Sequence, residues 1–271
     1  MSKKALLTTG PRSRRRVLAL LLGLALALGW PALLTSGAAA AVASSTVWTW
    51  GGNSFGQLGD GTTSDRRTPA AIGLSDVIDL HGGREHVVAL RADGTVWSWG
   101  SNQQGQLGLG TTANVPMPTR VPGLSAAVAV ETGHNHSLAL LADGTVWAWG
   151  LNTDGQLGDG TTTRRRSPVR VSGLTDAVAI AAGRDMSFAI RANGTLVGWG
   201  RNAEGQLADG TTTRRLTPVR VGSLTTVVGI AGGRDHGLAL LADGSVWAWG
   251  RTPTVRSATG RPPTARRPCR S

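Results

Sequence analysis

Between Leu138 and Ile190 short apolar runs alternate with glycine-rich polar loops, and no stretch shows the period of an amphipathic helix. Leu138 to Ala142 is apolar and short, as a buried strand would be. Asp143-Gly144 follows, then Thr145 to Trp149, where apolar and small residues alternate. An Asp-Gly pair between two such runs predicts a hairpin with a type I′ turn, both central residues at positive φ. Trp147 and Trp149 are two apart, so they share one face of a strand, and that face needs a cover.

Gly150 to Gly160 carries four glycines in eleven residues, which predicts a shaped loop and no regular element. Thr161 to Val171 holds Pro168, which confines it to an edge strand or a connector. Ala177 to Ala182 reads as a further apolar strand, and Gly183 to Ser187 leads into the next hairpin. The unit therefore supplies three or four short strands and no helix.

The same text recurs along the chain. Its Trp-Gly pair stands at Trp50-Gly51, Trp99-Gly100, Trp149-Gly150, Trp199-Gly200 and Trp249-Gly250, a period of about 50. The turn pair recurs as Asp93-Gly94, Asn193-Gly194 and Asp243-Gly244. Units of this size that each bury an apolar face only against a neighbour form repeat arrays, and repeated four-stranded sheets of this length are β-propeller blades. The fold class expected is all-β, with about four blades and a lone strand at Thr46 to Trp50.

Two motifs recur in register. One is Ile230-Ala-Gly-Gly-Arg-Asp-His-Gly-Leu-Ala-Leu240; the other is Trp149-Gly150-x-Asn152-x-x-Gly155-Gln156-Leu157-Gly158. Together they resemble the regulator of chromosome condensation repeat family from Val47 to Gly250. Kelch repeats have a similar length, but the Gly-Gln-Leu-Gly box sets this chain apart from them. Some positions depart from the pattern: Met186 stands where His86, His136 and His236 stand, His81 and Glu131 replace small residues, and Val197 replaces a Trp. The resemblance implies a ring of about seven blades. This chain supplies fewer, so an open or incomplete propeller is expected, with self-association through its open ends. It also implies, as one alternative function, guanine-nucleotide exchange on a small GTPase.

Residues 1–43 read as a signal peptide of an exported, bacterial-type member. Lys3, Lys4, Arg12, Arg14, Arg15 and Arg16 precede an apolar run from Val17 to Leu28, and Ala41-Val-Ala43 is a small-x-small cleavage site. The run is short for a membrane span, so no stable span is expected after cleavage. Ser13 to Leu18 resembles the twin-arginine box, with Val17 where Phe is usual; the Sec and twin-arginine routes both fit. An extracellular or cell-surface location follows.

Charge then changes the picture. The chain has a formal net charge of +12, with 28 Lys and Arg against 16 Asp and Glu. Six basic residues fall in the leader and six in the tail from Arg251, and neither segment holds an acid, so the repeat body is balanced. A nucleic-acid surface needs an excess of cations, so no nucleic-acid partner is expected. The one cysteine, Cys269, lies in the tail and excludes an intramolecular disulfide.

Chemistry is sparse. The positions His86, His136, Met186 and His236, and likewise Trp99, Trp149, Trp199 and Trp249, read as structural repeat positions. A histidine that exchanges with Met is expected to pack and to donate to a backbone carbonyl, so no metal site is assigned. Asn152, Asp154 and Asp159 faintly suggest a calcium loop, but the second repeat has Asn102, Gln104 and Leu109 there and no acid. No nucleophile and base meet, so no catalytic residue and no cofactor are assigned. A third reading, a surface enzyme, has no candidate set. Before each repeat's proline lies a row of arginines: Arg66, Arg67, Arg164, Arg165, Arg166, Arg214 and Arg215. It reads either as a solvated rim or as a surface for an acidic partner.

After Gly250 the repeat text stops inside a motif. Residues 251–271 are expected to be a disordered basic tail, and the break suggests repeat text read out of frame, as in a truncated product. The function expected is that of a non-catalytic exported scaffold for an unidentified protein or cell-surface macromolecule.

Overall fold

The computed structural model describes residues 45–251 and the backbone of 264–270. Every regular element in these residues is a strand. A two-stranded half-blade comes first, β1 (Trp48–Gly51) with β2 (Arg66–Ala71). Blade 1 is β3 (Val77–Gly82), β4 (His86–Arg91), β5 (Val96–Gly100) and β6 (Val115–Arg120). Blade 2 is β7 (Ala127–Thr132), β8 (His136–Leu141), β9 (Val146–Gly150) and β10 (Arg165–Arg170). Blade 3 is β11 (Ala177–Ala182), β12 (Met186–Arg191), β13 (Leu196–Gly200) and β14 (Arg215–Arg220). Blade 4 is β15 (Val227–Gly232), β16 (His236–Leu241), β17 (Val246–Arg251) and β18 (Thr264–Arg270).

All pairings are antiparallel and follow chain order within each blade. The first strand of the series is not lone: Trp48 pairs with Ala71 and Gly51 with Arg66. The leader, residues 1–43, lies outside the described residues. In the tail, where disorder is expected, Thr264–Arg270 pairs with β17 and takes the place that β6, β10 and β14 hold in their blades. In that register Arg266, Pro268 and Arg270 stand where β10 has Arg166, Pro168 and Arg170, and the proline again suits an edge strand.

The hairpin turns differ from the sequence expectation. Gly144 has φ 78°, but Asp143 is not at positive φ. Leu141 N–H bonds to Thr145 C=O at 2.9 Å and Gly144 N–H to Leu141 C=O at 3.0 Å, so the loop has three residues and only its last is left-handed. The cause is the Asp143 carboxylate, which accepts from both Thr145 N–H (2.9 Å) and Thr145 Oγ1 (2.7 Å) and folds the turn on itself. Pro168 falls, as expected of an edge strand, in the irregular part of β10 between Arg165 and Val169.

The core lies between blades. Leu138, Leu140, Val146 and Val171 of blade 2 pack with Ile180, Ala189, Val197 and Trp199 of blade 3. The same kind of layer joins blade 1 to blade 2 around Trp149, blade 3 to blade 4 around Trp249, and the half-blade to blade 1 around Trp99. Each fully buried Trp removes ~150–250 Å² from water, so these four rings dominate the junctions.

Candidate functional site

Two polar assemblies recur, one across the blade junctions and one within the glycine-rich loops. At the first junction His86 Nε2 lies 3.0 Å from Ser137 Oγ, and at the second His136 Nε2 lies 2.9 Å from Ser187 Oγ. Each serine hydroxyl donates to a glutamine carbonyl of the preceding loop, Ser137 to Gln106 and Ser187 to Gln156. A tryptophan indole donates to the same carbonyl, Trp149 to Gln106 and Trp199 to Gln156. A hydroxyl has one proton, so each imidazole must donate from Nε2, which leaves a buried Nδ1 without a partner in both. Burial, with a smaller push from nearby imidazoles, lowers both pKa values to about 3, so both rings are neutral. The expected acceptor, a backbone carbonyl, is thus replaced by a hydroxyl relay to one. Met186 and Gly237 stand where the third His and its Ser would be, and His236 is exposed.

The second assembly shapes the glycine-rich loop. Asn152 Oδ1 accepts from Leu157 N–H, and its Nδ2 donates to Asp159 Oδ1 (3.1 Å) and to the Thr161 carbonyl (3.1 Å). Asp159 also accepts from Thr161 and, through Oδ2, from Arg165 Nε at 2.7 Å. Burial would raise its pKa, but these donors outweigh it and hold the carboxyl low. The same set recurs around Asp60 with Arg66 and around Asp209 with Arg215. Of the acids that hinted at calcium, Asp159 is therefore engaged by protein donors on both oxygens. Among the described residues no group of three or more His, Cys, Asp or Glu is placed to hold a metal ion.

This geometry divides the arginine row. Arg66, Arg165 and Arg215 are half-buried and ion-paired within their own loops. In the second repeat the acid is Leu109 and the arginine is Val115, so the pair is absent as a pair. Arg164 and Arg214 reach back to the preceding loop and donate to the carbonyls of Gln103 (3.4 Å) and Thr153 (3.0 Å). Arg67 and Arg166 are exposed.

Two features were not singled out as sites in the sequence. His81 on β3 contacts Asp79 (3.3 Å) and, across to β7, Glu131 (3.2 Å). Burial alone would lower its pKa, but the two carboxylates outweigh it and raise it to about 10. The signal was present: His81 and Glu131 are departures at one repeat position of adjacent units, with opposite charge. The second feature is a bulge at the start of each inner strand. Pairing skips Ile78, Val128, Val178 and Val228, and each side chain is about half exposed.

The Regulator of chromosome condensation (RCC1) repeat matches residues 44–90, 93–140, 143–190 and 193–240. The chain belongs to the regulator of chromosome condensation repeat family. A second description of the repeat matches residues 77–106, 127–156 and 177–206. As matched, each repeat takes the outer two strands of one blade and the inner two of the next. Among solved structures, human WBSCR16 is similar at 24% identity and TM-score 0.71, over 84% of this chain and 64% of that one. Yeast RCC1 (Prp20) bound to Kap60 is similar at 22% identity and TM-score 0.70, over 83% of this chain and 56% of that one. Prp20p of Saccharomyces cerevisiae, reported with its binding properties to Gsp1p and histones, is similar at 24% and 0.68, over 83% and 58%. The chain thus spans less than two thirds of the length of these relatives, and the likeness carries the fold. No curated protein sequence matches it.

Proposed function

We propose that this protein is an exported, non-catalytic propeller scaffold that binds a protein or other cell-surface macromolecule. One observation carries the reading. The Asn side chains of the loop motif and the imidazoles of His86 and His136 are buried inside the molecule, whereas an apolar β-branched residue is exposed at the same bulge of every blade: Ile78, Val128, Val178 and Val228. These residues lie on adjacent inner strands, and repeated apolar exposure of this kind favours a docking face. Arg67 and Arg166 add a second, cationic element for an acidic partner. Export rests on the basic, apolar and small-residue order of the first 43 residues. No helix among the described residues is long and apolar enough to cross a membrane. Balanced charge in the repeat body argues against a nucleic-acid partner.

The test is binding of the labelled, secreted protein to the surface of the producing cells. The variant Ile78→Thr/Val128→Thr/Val178→Thr/Val228→Thr is expected to lose binding, and full retention would overturn the bulge face. Loss in Arg67→Glu/Arg166→Glu alone would move the site to the arginine row.

The second reading is guanine-nucleotide exchange on a small GTPase, favoured by the match to a protein reported with its binding to Gsp1p. The near-constant period leaves no inserted wedge between strands. Accelerated nucleotide release from a candidate GTPase would replace the scaffold reading.

A further inference from the structure

The two ends of the blade series are complementary. Inside the chain, the forward face of each blade carries apolar residues from its second and third strands, and the tryptophan face of the next blade covers it. In blade 2 the forward residues Leu138, Leu140 and Val146 are 0%, 3% and 0% exposed, covered by Ala189, Val197 and Trp199 of blade 3. The equivalents in blade 4, Leu238, Leu240 and Val246, are 39%, 42% and 40% exposed. His236, which in blades 1 and 2 would reach a serine of the following blade, is exposed as well.

At the other end no described residue covers the backward face of the half-blade. Trp48 and Trp50 hold the positions of Val197 and Trp199. Trp48 is 51% exposed, whereas its equivalents Trp97 and Trp147 are partly buried and Val197 is 8% exposed; Trp99, Trp149 and Trp199, the equivalents of Trp50, are fully buried. Trp50 is only partly buried. One end thus presents the face that a tryptophan strand covers, and the other presents a tryptophan strand with none of the described residues packed behind it. Four internal junctions of the same chemistry show that these faces fit one another.

We infer that two copies of this chain associate head to tail, with Trp48 and Trp50 of one copy seated on Leu238, Leu240 and Val246 of the other. The contact is heterologous, because the two faces differ, so each copy keeps one free face and association can continue beyond a pair. This inference concerns the blade ends and is independent of the bulge face proposed above. Burying two tryptophans against three aliphatic side chains is apolar association of the kind that large exposed patches drive.

The experiment is sedimentation velocity of the purified protein over a range of concentrations. The sedimentation coefficient is expected to rise with concentration. Leu240→Asp and Trp48→Asp each alter an exposed side chain, and each variant alone is expected to sediment as a monomer with an unchanged thermal unfolding curve. An equimolar mixture of the two restores one intact junction and is expected to form dimers and stop there. A wild-type protein that stays monomeric at every concentration overturns the inference, as it would if another part of the chain covered these faces. So does a Trp48→Asp protein that still associates, since that would mean two leucine faces pairing with each other. A mixture that remains monomeric overturns it too.

Discussion

His136 reaches across a blade junction to Ser187, with 2.9 Å between Nε2 and Oγ, and through that hydroxyl to the Gln156 carbonyl. At the next junction both partners are gone: Met186 replaces the imidazole and Gly237 the serine. A pair lost together is a pair that works together. Ser187→Gly alone leaves the His136 N–H buried without an acceptor, at a cost of about 1–3 kcal/mol. Adding His136→Met is expected to recover about 1 kcal/mol of that loss, a coupling readable by urea unfolding of the four members of the cycle. Strict additivity would show that the exchange is coincidental.

The same imidazoles set the acid limit of stability. An unfolded histidine takes its proton near pH 6.5, but folded His86 and His136 do so only near 3. Below 6.5 the unfolded state therefore binds more protons, and stability falls as pH drops towards 3, by about 1.4 kcal/mol per pH unit for each ring. The urea midpoint of His136→Met should fall less steeply over this window than that of the wild type.

His81 acts in the opposite direction. Its folded pKa, about 10, lies above the unfolded value, so its contribution is complete below 6.5 and is lost as pH rises through 10. In His81→Gln the alkaline decline in unfolding midpoint is expected to flatten while the acid side is unchanged.

The strand series, the shaped loop, the edge prolines and the buried tryptophans were legible in the sequence, because each has a local signature: alternation, glycine density, a missing N–H, a large apolar ring. What joins residues across about 50 positions was not. The expectation of a carbonyl partner for the histidines failed because the serine that intervenes comes from the next repeat. The arginine row read as a rim because its acids, Asp60, Asp159 and Asp209, sit six residues earlier in a loop whose closure only the structure shows. His81 and Glu131 read as faults in a pattern and are partners across β3 and β7.

That loop makes a further expectation. Arg165→Val should cost about 0.5–1 kcal/mol in the wild type, the value of a partly exposed pair. It should cost nothing once Asp159→Leu is present, since the second repeat carries Leu109 with Val115. Chemical denaturation of the single and double variants checks it.

Glycine at the end of the Gly-Gln-Leu-Gly box is required by its neighbour. Gly158 has φ 67°, and a Cβ there would lie 2.8 Å from Trp199 Nε1. Gly158→Ala is expected to cost about 1–3 kcal/mol. The fourth repeat already carries Ala208 at φ 47°. Ala208→Gly should therefore raise stability, by up to about 1 kcal/mol, in a thermal or urea melt.

Because the repeat and the blade are out of phase, removing or duplicating one repeat length joins the first half of one sheet to the second half of its neighbour. Both halves have the same strand order and register, so the sheet formed at the splice has its four strands. Unequal recombination within such a gene can therefore change the number of blades without creating a broken sheet in the middle of the protein. The interior tolerates a change of length; only the two outermost sheets register it.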